Sequence, residues 1–394
     1  MSNALSPEEI ESAREDTPGV AHVVHLNHAG SSLPPQPVLD RQIGHLHREG
    51  EIGGYEAAAE AIEADHGVYD SIAGLINAKP HEIARVEHAT AAWNAGFWSV
   101  QMRPGQRIIT AEAAYGANAV GFLRAAQRRG VEIDVVPSDS TGQVDLKELE
   151  RRLDADCALV AITHIPTNGG LINPAAEVGR LARSAGVPFL LDACQSIGQL
   201  DIDVDAIGCD LLSATGRKYL RGPRGSGFLY ASDRIIDDLI TDHPDHHGAK
   251  WNRGDGFDLW PGAKRFEYWE YNHASWLALG TAVDYARVIG TDRIEPTVIQ
   301  RAAQLRDRLH DAQLPVYDIG QRQGALVTTN VPGRDPGEVK AALGAQHINT
   351  SVTNPDGTLW DFERRGLAPM LRVSVHYTTT EDELDQAVTA LRSL

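Results

Sequence analysis

The chain has 394 residues, 42% of them hydrophobic and 23% charged, the balance of a globular protein with room for one large domain and a smaller one. Its 54 acidic and 36 basic side chains leave a formal net charge of -18, which argues against partners built on phosphate backbones or anionic lipid. No run approaches the ~18 apolar residues of a bilayer span, and the acidic opening, Met1 to Thr17, reads as neither a signal nor a transit peptide.

Ser6-Pro7-Glu8-Glu9 reads as a helix start, with Ser6 as N-cap, Pro7 in the first turn and Glu9 closing a capping box. An extended stretch, His22 to Asn27, and a turn-rich segment, His28 to Pro37, follow. From Val38 to Asn77 the spacing is helical, with a break at Gly53-Gly54. Between Arg85 and Ser232 short β-branched runs alternate with helical segments. The predicted strands are Arg107–Thr110, Ile133–Val136, Ala158–Ile165, Pro188–Asp192, Leu211–Ala214 and Gly227–Ala231; the predicted helices are Ala117–Arg129, Asp145–Ala155 and Pro174–Ala185. This alternation predicts an α/β fold, a mostly parallel sheet covered by helices, with ligands at the carboxyl ends of the strands. Residues 233 to 265, rich in Asp, His and Gly, read as a surface excursion. Helices are expected over His273–Val288 and Glu295–Ala312, and a smaller α+β unit over Leu314 to Leu394. Cys157, Cys194 and Cys209 lie in or beside apolar stretches and read as buried thiols of a reducing compartment, so a cytoplasmic location is expected.

One segment carries most of the chemistry. In Cys209-Asp-Leu-Leu-Ser-Ala-Thr-Gly-Arg-Lys218-Tyr-Leu-Arg-Gly-Pro-Arg-Gly-Ser-Gly-Phe-Leu-Tyr230 a lysine stands between two apolar strands. It is either a surface lysine of a loop or a desolvated amine, and a desolvated amine suits a Schiff base to an aldehyde cofactor. Arg217 and the neighbouring hydroxyls suit that cofactor's phosphate. About one βα unit earlier, Asp192 ends the apolar strand of Val187-Pro-Phe-Leu-Leu-Asp-Ala-Cys-Gln195. Asp192 is either a helix N-cap or the partner of a protonated pyridine nitrogen, as in pyridoxal 5′-phosphate (PLP); Gln195 then suits the ring oxygen.

Asp192-Ala-Cys-Gln195, Ser213-x-Thr215-Gly-Arg-Lys218 and Gly222-Pro-Arg-Gly225, at this spacing, resemble the class V aminotransferase and cysteine desulfurase family, fold type I of the PLP enzymes. The likeness runs from His25 to Asp385. It implies a large domain over 25–280 with a seven-stranded type of sheet, a small α+β domain over 281–394, and an N-terminal segment, 1–24, packed with the small domain. It also implies a homodimer acting on a small amino-acid substrate. Lys218 is then the catalytic, cofactor-bearing lysine. Ala89, Thr90 and Ala91 match the phosphate loop, followed directly by a helix, and Thr215 and Arg217 match further phosphate ligands. Tyr115 is expected to stack on the ring, and Thr167 or Asn168 to contact the ring oxygen or the substrate. Asp192 and Gln195 keep the roles given above. Arg372, in Leu371-Arg-Val-Ser-Val-His-Tyr377, matches the arginine that binds the substrate carboxylate, for which a guanidinium fork is suited. Asn27 and His28 are assigned to substrate binding as well. Asp242-His-Pro-Asp-His-His247 has metal-ligand residue types without metal-ligand spacing, and no metal is expected.

Two departures narrow the expectation. Cysteine desulfurases need a nucleophilic cysteine in the C-terminal third, and no cysteine follows Cys209; Cys194 is expected in the core beside Asp192. The Gly-Thr pair that reaches a phosphate across the dimer is replaced by Arg265-Phe-Glu-Tyr-Trp-Glu-Tyr-Asn272, leaving Trp269 to Asn272 as candidates to approach the neighbouring site. Glu49-Gly-Glu-Ile-Gly-Gly-Tyr-Glu-Ala57 resembles a segment of the C–S lyase branch, which includes hercynylcysteine sulfoxide lyases and enzymes of cysteine S-conjugates in lincosamide biosynthesis. The expected reaction is α,β-elimination from an S-substituted cysteine. The alternatives are transamination, epimerisation or decarboxylating deamination, and a non-catalytic PLP-binding protein.

Overall fold

The computed structural model describes residues 3–394. Ser6 caps the first helix, Pro7–Glu15, through the expected reciprocal pair with Glu9. Arg14 then ties this helix to the far end of the chain, donating to the Thr378 carbonyl (2.6 Å) and to Glu383 (3.1 Å). Strand β1 (Val24–His25) leads into the turn-rich segment. The helical tract beyond it is three helices, Gln36–Ile52, Gly54–Glu60 and Ile62–Ile76. It breaks at Gly53, whose φ of 103° falls where only glycine is unstrained.

Seven strands make the main sheet: β2 (Ile83–Val86), β3 (Arg107–Ala111), β4 (Glu132–Val136), β5 (Cys157–Thr163), β6 (Phe189–Asp192), β7 (Leu211–Thr215) and β8 (Gly227–Ala231), in the order β2-β8-β7-β6-β5-β3-β4. β8 is antiparallel to both neighbours and every other pairing is parallel. Strands β5 to β8 are buried along their whole length, so they appear in the sequence as unbroken apolar runs. β2 has no such signal. It is four residues long and carries a charge, Arg85, which is buried against the Tyr271 ring (3.2 Å) and the Glu267 carboxylate (3.5 Å).

The excursion after β8 holds a hairpin that its composition does not suggest, β9 (Ala249–Trp251) and β10 (Phe257–Leu259), with exposed Trp251 and Phe257 facing each other. Two long helices follow, His273–Ile289 and Thr291–Asp311. The second begins upstream of the expected start, because Pro296 lies inside the helix rather than in its first turn. The C-terminal strands are β11 (Leu326–Thr329), β12 (Ile348–Asn349), β13 (Ser351–Thr353) and β14 (Met370–Ser374). β11, β14 and β13 form an antiparallel sheet, while β12 pairs in parallel with β1. In the main sheet Thr163 is in register with Asp192 and Asp192 with Ser213, so the carboxyl ends of β5, β6 and β7 meet at one edge. No helix is long and apolar enough to cross a membrane among the described residues.

Candidate active site

Lys218 stands in the turn after β7. The chain closes on itself there, with the Gly216 N–H bonded to the Ser226 carbonyl (2.9 Å) and the Gly222 N–H to the Gly216 carbonyl (2.8 Å). That closure holds the lysine inward, 8% exposed. Burial lowers the pKa of its amine, and Arg217 and Arg372 act in the same direction. The unprotonated amine this favours is the form that attacks a carbonyl. Asp192, at the end of β6, accepts from the Cys194 N–H (3.0 Å) and from Asn118 Nδ2 (2.8 Å). Burial nevertheless raises its pKa: the carboxylate is short of a cation.

Nine of the residues assigned from sequence line one cavity of about 260 Å³: Ala89, Thr90, Tyr115, Thr167, Asp192, Gln195, Thr215, Arg217 and Lys218. Ala89 and Thr90 open the helix Ala89–Ser99, so its positive end faces the cavity. Thr215 Oγ1 donates to the Ser226 carbonyl (3.2 Å), and Arg217 donates to the Gly30 carbonyl. Gln195 Nε2 donates to the Ala29 carbonyl (3.3 Å), which leaves its Oε1 buried without a partner.

Five assigned residues stand outside the wall. The Ala91 N–H is taken by His88 Nδ1 (3.1 Å), so this amide is already satisfied. Asn168 turns away and donates to Asp361 (2.7 Å); of the Thr167–Asn168 pair, Thr167 is the one at the cavity. Arg372 lies behind Thr167 and bonds to its hydroxyl. Asn27 has a buried Oδ1 without a partner. The His28 ring bonds to the Ser32 hydroxyl (2.9 Å) and packs between His25 and His376, where burial pushes its pKa well down.

The wall also contains His88, Trp93, Asn118, Thr163, Cys194 and Arg224. Asn118 lies one helical turn beyond Tyr115, a spacing that marks a shared face but not a bond to Asp192. Cys194 corrects an expectation: it is half-buried in the cavity wall rather than hidden in the core. The strand ends at Asp192, and the turn that follows brings the next side chains to the cavity. Near the excursion, His247 pairs with Glu267 (3.3 Å) and Asp245 accepts from the His247 and Trp269 N–H groups.

The donor set fits PLP. A buried amine can link to an aldehyde, and a buried carboxylate lacking a cation suits a pyridinium nitrogen. A helix start, a hydroxyl and guanidinium groups suit a phosphate.

A family profile described as "Aminotransferase class-V" matches residues 24–387. The chain is 29% identical over 382 residues to a probable cysteine desulfurase of Methanothermobacter thermautotrophicus, covering 95% of each. It is 28% identical over 412 residues to a cysteine desulfurase of Serratia proteamaculans, covering 98% of each. Among solved structures, the apo form of a cysteine desulfurase from Thermococcus onnurineus NA1 superposes with a TM-score of 0.91 at 24% identity, over 100% of this chain and 99% of that one. A cystine C–S lyase in complex with its reaction product, cysteine persulfide, gives 0.86 at 20% identity, over 96% and 99%. The chain belongs to the class-V aminotransferase family, enzymes of PLP fold type I, and PLP is its cofactor.

Proposed function

We propose that this chain is a lyase that cleaves the C–S bond of an S-substituted cysteine by α,β-elimination. One contrast in the cavity wall carries the reading. Burial favours the unprotonated amine at Lys218, whereas it raises the pKa of the Cys194 thiol. A base is therefore at hand, and a thiolate nucleophile is not. No cysteine lies beyond Cys209 to accept sulfur. The relatives named cysteine desulfurases support C–S chemistry on cysteine.

Bound PLP supplies an electron sink for the charge that develops at the substrate α-carbon. Arg372 binds the substrate carboxylate with its free edge and so fixes which bond faces Lys218. Lys218 Nζ takes the α-proton. Asp192 keeps a proton at the ring nitrogen, Tyr115 covers the cavity, and Thr90, Thr215 and Arg217 hold the phosphate. The C–S bond breaks, sulfur leaves as a thiol, and water releases the rest as pyruvate and ammonia. We propose that the chain works as a homodimer; the exposed rings of Tyr55, Tyr268 and Trp269 support a partner surface.

Incubation with S-methylcysteine, S-ethylcysteine and cystine tests the reaction. Pyruvate and ammonia in equal amounts are expected. Amino-group transfer to an α-keto acid, or release of CO₂, with no pyruvate from any of the three, would sink it.

A further inference from the structure

The cavity wall carries three cationic side chains, Arg217, Lys218 and Arg224, against one carboxylate, Asp192. Two of the cations already have roles: Lys218 is the amine of the site, and Arg217, which also donates to the Gly30 carbonyl, is assigned to the phosphate. Arg224 makes no hydrogen bond or ion pair among the described residues. Its position follows from the backbone. Thr215 is in register with Gly227, and a Cβ on Gly227 would stand 2.6 Å from the Ala214 carbonyl oxygen and 3.1 Å from the His88 backbone. The start of β8 is thus pressed between Thr215 and the residue that caps the Ala89–Ser99 helix. Arg224 is three residues upstream, on the same wall as Thr90 and Thr215.

His88 adds a second donor. Its Nδ1 accepts from the Ala91 N–H, so the neutral ring carries its proton on Nε2 and that nitrogen can only donate. An N-cap of Ser or Asp would satisfy the helix equally but would not present an N–H to the cavity.

We propose that Arg224 and His88 bind the cofactor phosphate and complete its subsite from within one chain. Arg224 lies within the Gly222-Pro-Arg-Gly225 motif and His88 directly precedes the Ala89–Ala91 loop, but the resemblance assigns neither of them a role. The inference rests on the cofactor and is independent of the proposed elimination.

Apo-protein titrated with PLP and, separately, with pyridoxal tests it, because pyridoxal differs only in lacking the phosphate. Binding is read by tryptophan fluorescence and by the visible band formed at Lys218. Arg224→Gln is expected to weaken PLP about ten- to a hundredfold, the range of a charge-assisted hydrogen bond. His88→Ser keeps an acceptor for the cap and removes the ring N–H, and a loss of about threefold or more is expected from one neutral donor. Pyridoxal affinity should stay within about twofold in both variants. Inorganic phosphate should compete with PLP for the parent protein and less for Arg224→Gln. The proposal is overturned if PLP affinity does not move in Arg224→Gln, or if PLP and pyridoxal weaken together. It is equally overturned if only the KM of substrates bearing an extra anionic group responds.

Discussion

Arg372, in the middle of β14, donates from Nη1 to both the hydroxyl (2.6 Å) and the carbonyl (3.2 Å) of Thr167. A residue of the C-terminal sheet is thereby fixed to the loop that leaves β5. Its Nε is buried and has no hydrogen-bond partner, so one edge of the guanidinium remains for a carboxylate, which binds such an edge in bidentate fashion. Arg372→Lys keeps the charge and loses the fork. We expect kcat/KM for an S-substituted cysteine to fall about ten- to a hundredfold, roughly 1.5–3 kcal/mol, mostly through KM. The cofactor absorbance should not change. Thr167→Val keeps the carbonyl contact and should cost less. A loss confined to kcat would contradict this assignment.

Asn118 and Asp192 form the second pair. The bond from Asn118 Nδ2 (2.8 Å) favours the charged carboxylate against the burial that raises its pKa. Removing that donor in Asn118→Ala raises the pKa further, so the acidic limb of the kcat profile should move to higher pH. Asp192→Asn removes the charge altogether. Its kcat should drop on the order of a hundredfold or more, the scale of a lost electrostatic contact to developing charge, with a shifted visible spectrum of the bound cofactor. An unchanged pH profile in Asn118→Ala would show that the bond is only structural.

Strands buried on both faces, β5 to β8, were legible because burial demands continuous apolar runs, and the residues that end the parallel strands β5, β6 and β7 fall on the cavity because ligands bind at the carboxyl ends of such strands. β2 was not legible. Its charge is neutralised by Glu267, 182 positions away, and local sequence does not encode such a partner. The site divides along the same line. Lys218, Asp192 and Thr90 could be placed at the cavity because each ends a strand, follows one in its turn or starts a helix. The bond from Asn118 to Asp192, the turning of Asn168 toward Asp361 and the arrival of Arg372 behind Thr167 join segments 74, 193 and 205 positions apart. Only the fold brings these together. Cys194 was misplaced for a smaller reason: strand alternation ends at Asp192, and with it the rule for which side a residue faces.

His164 follows Thr163 at the end of β5 but belongs to a separate cleft, with its Nδ1 buried and unpartnered. Burial, reinforced by Arg322, lowers its pKa from 6.5 to about 4. The unfolded chain therefore takes up a proton near pH 6.5 that the folded chain refuses until about pH 4. Stability from this group is intact above 6.5 and is lost as the pH falls through that window. Between pH 7 and 5 the parent protein should lose about 2 kcal/mol more unfolding free energy than His164→Gln. Urea denaturation of the two proteins at matched pH measures the difference. Equal slopes against pH would mean that His164 is protonated in the folded state.

Cys194 offers the sharpest separation between elimination and sulfur transfer. Its N–H is held by Asp192 (3.0 Å), and its thiol lies in the cavity wall with Lys218 among the charges that act on it. Burial is the largest influence and favours the protonated thiol, a poor nucleophile. In elimination this side chain is wall and not reagent. Cys194→Ala should then retain pyruvate release from S-methylcysteine to within about threefold, since removing one sulfur atom from a half-open wall costs little packing. No protein-bound persulfide should form in the parent protein with cysteine as substrate. Mass spectrometry of the intact chain after turnover reads this directly: a gain of one sulfur atom that disappears in Cys194→Ala would make Cys194 the acceptor and replace elimination by sulfur transfer.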